Sequence, residues 1–418
     1  MYITLRDRPR RAPATGQPAR VAAPVVLLGI TSMLTDISSE MVAAILPLFV
    51  TVGLGLSPLA FGVVDGLYQG VSAVTRLAGG YIADRTRRPK TVATTGYALS
   101  AASKLVLLPA GSLPLLSAAV AIDRTGKGIR TAPRDALIAG ASPAGSLGRA
   151  FGVHRALDTV GAMIGPLLAF ALLASLPGNF DAVFVVSFCF AVLGVTVIGL
   201  LVEEQPLHAV GDKRPRGRDL RWLLRDAGIG RLALAAGLLS LVTVSDGFLY
   251  LALHDREELP AAVFPLLFVG TAVVYMSLAV PLGRLADAVG RVQVLLGGQF
   301  LLAAAYLLAL VPIPGLVSVV ATISLLGAYY AATDGVLAAI VSGIAPTRLR
   351  ATGLAAVQTV VTAGRLVSAL AFGAVWTVVG VAPALAAFLA GLMVAVPIAA
   401  HLLRGTRTSG GLNVTTSP

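Results

Sequence analysis

An all-α polytopic membrane protein, with twelve transmembrane helices in two pseudo-symmetric six-helix bundles, is the fold this sequence predicts. Three observations predict it. The mean hydropathy is +0.86, and 56% of residues are apolar while 12% are charged, against about 25% charged in soluble domains. Apolar runs of about 20 residues recur along the chain, the length that crosses a hydrocarbon core of about 30 Å. Basic residues gather in alternate connections, in the order that topology rules demand. Barrel strands would read as short alternating segments, and the sequence has none.

The net charge of +12 is placed for topology rather than for nucleic acid. Lys and Arg cluster in the N-terminal tail (Arg6, Arg8, Arg10, Arg11, Arg20), from Arg85 to Lys90, from Lys213 to Arg231, and at Arg348 and Arg350. The turns at 51–57, 109–114, 176–181, 312–315 and 378–383 carry none. This places both termini in the cytoplasm of a multi-pass protein of the cytoplasmic (plasma) membrane. No basic patch interleaved with aromatics points to nucleic acid. Cys189 is the single cysteine, which excludes an internal disulfide and is expected to be inert packing. The first apolar run is too long for a cleaved signal sequence and is expected to stay as a helix.

In order, a polar tail (1–20) precedes helix 1, at about Val21–Val50, which carries Asp36 and Glu40 one turn apart on one face. Helix 2, about Pro58–Ala83, has Asp65, Tyr68, Gln69, Ser72 and Arg76 as a polar stripe. The stretch 91–122 is apolar apart from Lys104; breaking it at Pro109–Pro114 gives helices 3 and 4 and returns the next charges to the basic side. Helix 4 then holds Asp123 and Lys127 near mid-membrane, with Arg134 and Asp135 near the inner surface. Helices 5 and 6 cover about Arg149–Ser175 and Asp181–Val202. A polar, Arg-rich linker (203–230) separates this N-terminal bundle (21–202) from a C-terminal bundle (231–403) and a tail (404–418). Helices 7 to 12 are expected at about Arg231–Leu253, Pro260–Leu285, Val292–Val311, Gly315–Ser342, Ala351–Val378 and Ala382–Leu403.

The halves read as repeats. Gly80-Tyr-Ile-Ala-Asp84-Arg85 corresponds to Gly283-Arg-Leu-Ala-Asp287, and Arg149-Ala-Phe-Gly152 to Arg350-Ala-Thr-Gly353. Asp135 and Asp334 fall at comparable places in the fourth helices, and Asp36 and Asp246 in the first. Parallel repeats of this size suit two bundles that rock about a central site.

These motifs resemble those of the major facilitator superfamily over about Ala22–Leu403. The loop after helix 2 resembles that family's Gly-x-x-x-Asp-Arg-x-Gly-Arg-Arg/Lys signature through Gly80, Asp84, Arg85 and Arg88, with Arg87 where the second Gly is usual. Its second copy keeps Gly283, Asp287, Gly290 and Arg291, with Ala288 in place of Arg. The resemblance implies a cytoplasmic gate at these positions. Gly152, Gly161, Gly165 and Pro166 in helix 5 match the spacing of the superfamily's antiporter motif, whose last two glycines are here Ala169 and Phe170. Arg124 and Gly128 fit part of the helix 4 motif Arg-x-x-Gln-Gly-x-Gly, in which Lys127 replaces Gln and Arg130 the last Gly. The family's helix 4 arginine is tied to proton coupling, and Arg124 inherits that role by this match.

Charges inside a membrane helix must face a bundle interior or a watery cavity. Some in helix 4 are expected to neutralise each other at i,i+4, with Asp123 and Lys127 the obvious pair. Proton coupling needs a carboxylate whose affinity for protons responds to burial and to nearby cations. Asp36 and Glu40 lead as candidates, with Asp158 and His154, one turn apart, next. The polar residues Asp65, Tyr68, Gln69, Asp123, Lys127, Arg130, Asp246, Tyr275, Asp334, Gln358 and Arg365 are candidates for a substrate cavity. No metal-ligand spacing, phosphate loop or cofactor signature is present, so neither a metal nor ATP drive is expected. The expectation is a secondary transporter for a small organic solute, working as a monomer by proton-coupled efflux. Uptake by symport of an anionic metabolite on Lys127 and Arg130 is the alternative. A membrane enzyme or receptor on the same scaffold is a distant third, since fold does not prove function.

Overall fold

Proline in the first turn, where no intrahelical N–H bond is lost, opens α1 (Ala23–Leu48), α2 (Pro58–Thr86), α3 (Pro89–Leu107) and α4 (Leu113–Gly140). The structure, a computed structural model, describes residues 22–142, 146–204, 226–311, 315–345 and 349–404, without the side chains of residues 73, 74, 77, 84, 227 and 351. The predicted tails and most of the predicted linker lie outside the described residues. α5 (Leu147–Ser175) and α6 (Phe180–Thr196) complete the first half. The second half holds α7a (Ala227–Leu241), α7b (Asp246–Glu257), α8 (Phe264–Val289), α9 (Arg291–Leu310), α10 (Leu316–Ile344), α11 (Arg350–Val379) and α12 (Val381–Leu403). No strand occurs among the described residues.

Nine spans among the described residues are long and apolar enough to cross a membrane. The charged helices α2, α3 and α4 are not among them. α4 tolerates its charges because it is packed between α2 and α3, which shield it from lipid. Large apolar side chains on outward faces, such as Leu200, Val317 and Val378, are exposed, as a bilayer solvent requires. Cys189 also lies exposed on α6 rather than in internal packing.

Helix 7 is broken where a continuous helix was expected. Its first segment starts at Ala227, earlier than predicted, because Asp226 Oδ1 accepts from the N–H groups of Gly228 and Ile229 at 3.0 and 2.9 Å. The chain then unwinds between Leu241 and Asp246. Backbone groups freed at membrane depth must find partners inside the protein. Tyr306 of α9 takes Val244 N–H at 2.6 Å and donates to Val242 O at 3.1 Å, while Ser368 of α11 donates to Thr243 O at 2.7 Å.

Packing follows one plan twice. α1 runs along α5 and α6, α4 lies between α2 and α3, and α3 also touches α6. In the same way helix 7 runs along α11 and α12, α10 lies between α8 and α9, and α9 touches α12. The halves meet through α2 on α11 and α5 on α8, pairs that exchange under the same pseudo-two-fold. On α2 the contact runs from Pro58 to Gly70. Leu59 N–H donates to Thr377 Oγ1 at 3.0 Å, and Phe248 of α7b bridges Phe61 and Phe372 with ring centroids 4.7 and 4.9 Å away. This contact lies at the ends of α2 and α11 that begin at Pro58 and finish near Thr377. Toward the other end, a Cβ on Gly152 of α5, Gly283 of α8 or Gly335 of α10 would meet nothing within 4 Å.

Candidate functional site in the transmembrane bundle

The charges of α4 are spent mainly on one another and on α3. Asp123 receives Lys104 Nζ at 2.8 Å and pairs with the adjacent Arg124, all three side chains being buried. The expected Asp123–Lys127 pair does not form, because Asp123 faces α3 at the place where Gly96 and Gly126 let α3 and α4 touch backbone to backbone. Arg124 lies over the Tyr68 ring, 3.9 Å from its centroid. Arg130 donates to Ser100 Oγ at 2.9 Å and lies 4.6 Å from the Tyr97 ring centroid. Asp123, Arg124 and Arg130 are therefore held in the interior of the first half, away from the lining of the central cavity. Lys127 remains within Coulombic reach of Asp36 and Glu40.

A second cluster forms where α1, α4 and α5 meet. Arg130 Nη2 stands 3.8 Å from Asp36 Oδ1, and Arg134 Nη1 stands 4.0 Å from Asp158 Oδ1. The Asp36 and Asp158 carboxyls lie close enough for each to feel the other's charge. Arg134 also pairs with Asp135 at 2.9 Å and donates to Ser32 at 3.2 Å. One turn before Asp158, His154 is 1% exposed, and neither ring nitrogen has a hydrogen-bond partner. The approach of α5 to α1 depends on small residues: a Cβ on Gly165 would sit 2.7 Å from Ile37 O and 3.0 Å from Glu40 Cβ. Gly161 meets the backbone of Met33 in the same way, and Pro166 is buried beside them.

Between the halves lies a cavity of 240 Å³. Glu40, Asp65, Tyr68 and Gln69 line it from the first half, and Thr243 to Gly247, Phe268, Tyr330 and Arg365 from the second. The break in helix 7 brings backbone and Asp246 to this wall, and Tyr330 donates to Asp246 Oδ1. A larger cavity of 580 Å³ shares Thr243 and Arg365 and is lined by Arg155, Gln299, Asp334 and Gln358, among others. Arg365 Nη2 lies 3.9 Å from Asp334 Oδ1. Tyr275 lies in neither cavity; it faces a groove between α8 and α10 that ends at Asp287 and Arg291.

The two copies of the loop motif differ in detail. Arg291 pairs with Asp287 at 2.9 Å and donates to Ala339 O at 3.1 Å, fastening the α8–α9 turn to α10. In the first copy the side chain of Asp84 lies outside the described residues, Arg85 and Arg88 are exposed, and Gly80 packs near Ala132. Arg87 adopts φ 55°, while its twin Gly290 has φ 115°. A non-glycine residue in the left-handed region costs about 1–2 kcal/mol. Arg87→Gly is therefore expected to raise stability by up to about 1 kcal/mol, after the entropic cost of glycine, as read from unfolding of the purified protein in detergent.

Sequence reasoning missed the residues that hold these groups: Lys104, Ser32, Tyr97 and Ser100 around the arginines, and Ser245, Phe268 and Tyr330 at the cavity. Lys104 was the one lone charge in an otherwise apolar stretch, and that was its signal. The others are ordinary membrane-helix residues and carry none.

The family model described as Major Facilitator Superfamily matches residues 28–259. An uncharacterized MFS-type transporter of Methanocaldococcus jannaschii is 32% identical over 373 residues, covering 85% of this chain and 88% of that protein. Among solved structures, the nucleoside transporter NupG gives a TM-score of 0.78 at 13% identity, covering 91% of this chain and 98% of that one. A bacterial homolog of the human lysosomal transporter Spinster, in an inward-facing and occupied conformation, gives 0.73 at 15%, covering 91% and 96%. At these identities the two structures speak for the fold. With a family model over more than half its length and a relative of this identity over most of it, the chain belongs to the Major Facilitator Superfamily.

Proposed function

We propose that this protein exports a small organic solute across the cytoplasmic membrane in exchange for protons, by alternating access. The observation that carries the reading is the carboxyl pair Asp36–Asp158, set between Arg130 and Arg134 where α1, α4 and α5 meet. Two carboxyls this close can hold one proton between them or release it to pair with the arginines. Movement of α4 against α1 and α5 would change that balance, linking proton occupancy to the tilt of the first half. Glu40, one turn along α1, extends the same face to the central cavity.

Both termini are cytoplasmic in this reading, so the conformation described is open to the cytoplasm and closed by α2 and α11 outside. The bundles 21–202 and 231–403 rock about the basic linker, the paired Gly-Asp loops act as the cytoplasmic gate, and one chain suffices. The symport alternative places an anion on Lys127 and Arg130; the Arg130 guanidinium is already engaged by Ser100, Tyr97 and Asp36, and Lys127 lies near the carboxyls of Asp36 and Glu40.

Liposomes containing a pH-sensitive dye test the proposal. Solute gradients across wild-type vesicles are expected to drive protons in the opposite direction. Asp36→Asn and Asp158→Asn are expected to abolish that flux, and Glu40→Gln to reduce it. Solute movement without proton flux, unchanged in all three variants, would sink the coupling.

A further inference from the structure

The central cavity has a charge balance that its surroundings do not cancel. Its lining holds Glu40, Asp65 and Asp246 against a single cation, Arg365. Arg365 acts on both Asp65 and Asp246 but is shared with Asp334. Lys127 reaches Glu40 from α4, whereas Arg124 is taken by Asp123. Counting Glu40, Asp65, Asp246 and Asp334 against Arg365 and Lys127 leaves two carboxyls without a cation of their own. Asp65 Oδ2 and the neighbouring Ser245 hydroxyl are buried close to each other, and neither makes a hydrogen bond of good geometry. Unsatisfied polar atoms of this kind are rare in a native interior and call for a partner.

The same cavity is ringed by Phe61, Tyr68, Phe268 and Tyr330. Carboxylate oxygens beside aromatic faces recognise organic ammonium groups, through ion pairing and cation–π attraction together. An anionic solute would meet net repulsion here, and a neutral one would leave the carboxyls uncompensated. At 240 Å³ the space is smaller than common ligand pockets, which run roughly 300–1,000 Å³, so it suits a solute of about one ring.

We infer that the solute is a small organic cation, an aromatic or alicyclic amine held between Asp65 of α2 and Asp246 of α7b. The inference rests on the transport reading above and names its substrate class. Because the two carboxyls belong to opposite halves, the bound ammonium spans the interface that must open and close.

Equilibrium binding to the purified full-length protein in detergent tests this without any gradient. Isothermal titration would compare phenethylamine, phenylacetamide and phenylacetate, and their cyclohexyl counterparts, which keep one skeleton and change its charge. The amines are expected to bind at least about tenfold more tightly than the amides or carboxylates. Asp65→Asn and Asp246→Asn should each weaken amine binding at least about tenfold, while Asp65→Glu retains it and shows that the site still folds. Failure of every amine to bind would overturn the inference. So would equal binding of an amide or carboxylate, or Asn variants that bind amines like wild type. Amine binding without proton flux in vesicles would remove the coupling alone, and proton flux driven by an anion would remove the cationic substrate alone.

Discussion

Asp123→Asn is expected to destabilise the protein by about 3–5 kcal/mol, the cost of leaving buried charge without its partner. The magnitude follows from where the carboxylate sits. Lys104 and Arg124 both converge on it, and their side chains are 2% and 3% exposed. Neither cation can reach water, and no second carboxylate pairs with either among the ion pairs of the described residues. Lys104→Met is expected to cost much less, because Asp123 then keeps Arg124 and the methionine fills the lysine's apolar path. The check is thermal unfolding and monodisperse yield of both variants in the same detergent. A mild Asp123→Asn alongside a severe Lys104→Met would mean that packing, rather than charge, holds α3 to α4.

Gly62→Leu is expected to abolish transport while leaving each half folded. A Cβ at Gly62 would lie 2.5 Å from Ala369 O, so α2 and α11 cannot close around a leucine. Overpacking of this kind costs about 1–3 kcal/mol, which shifts a two-state balance about 5- to 150-fold. The balance should move away from the state in which the end at the α2–α11 contact is shut. Spin labels at Val52→Cys and Val378→Cys, both exposed near that end, report it directly in a Cys189→Ser background. The label separation is expected to lengthen in Gly62→Leu, and Gly297→Leu, which faces open space on α9, should leave it unchanged. An unaltered distance in Gly62→Leu would show that the α2–α11 contact does not govern closure.

Much of the architecture was legible because the membrane imposes it. Apolar runs, basic loops and repeated Gly-Asp motifs pointed to helices whose extents, helix 7 excepted, agree with the described ones to within a few residues. Arg87 departs from the loop motif, and its left-handed backbone shows what the usual glycine is for. The break in helix 7 was not legible. Residues 239–244 read Leu-Ser-Leu-Val-Thr-Val, apolar and β-branched, with no Gly or Pro to mark an interruption. What stabilises the unwound turn comes from Tyr306 and Ser368, 62 and 125 residues away in sequence.

The candidate site divides along the same line. Hydropathy and spacing identified Asp36, Glu40, Asp65, Asp123, Asp158 and Asp246 as costly charges in the membrane, since an intramembrane carboxyl is conspicuous wherever it points. Their pairing depends on distances of a few ångströms between helices far apart in the chain, and helical periodicity says nothing about that. The α3–α4 crossing at Gly96 and Gly126 gives Asp123 to Lys104 and Arg124. The α1–α5 crossing at Gly165 brings Asp36 to Asp158. Asp65 and Asp246 are left facing a shared cavity, because α2 and α7b meet only when the two halves close on each other.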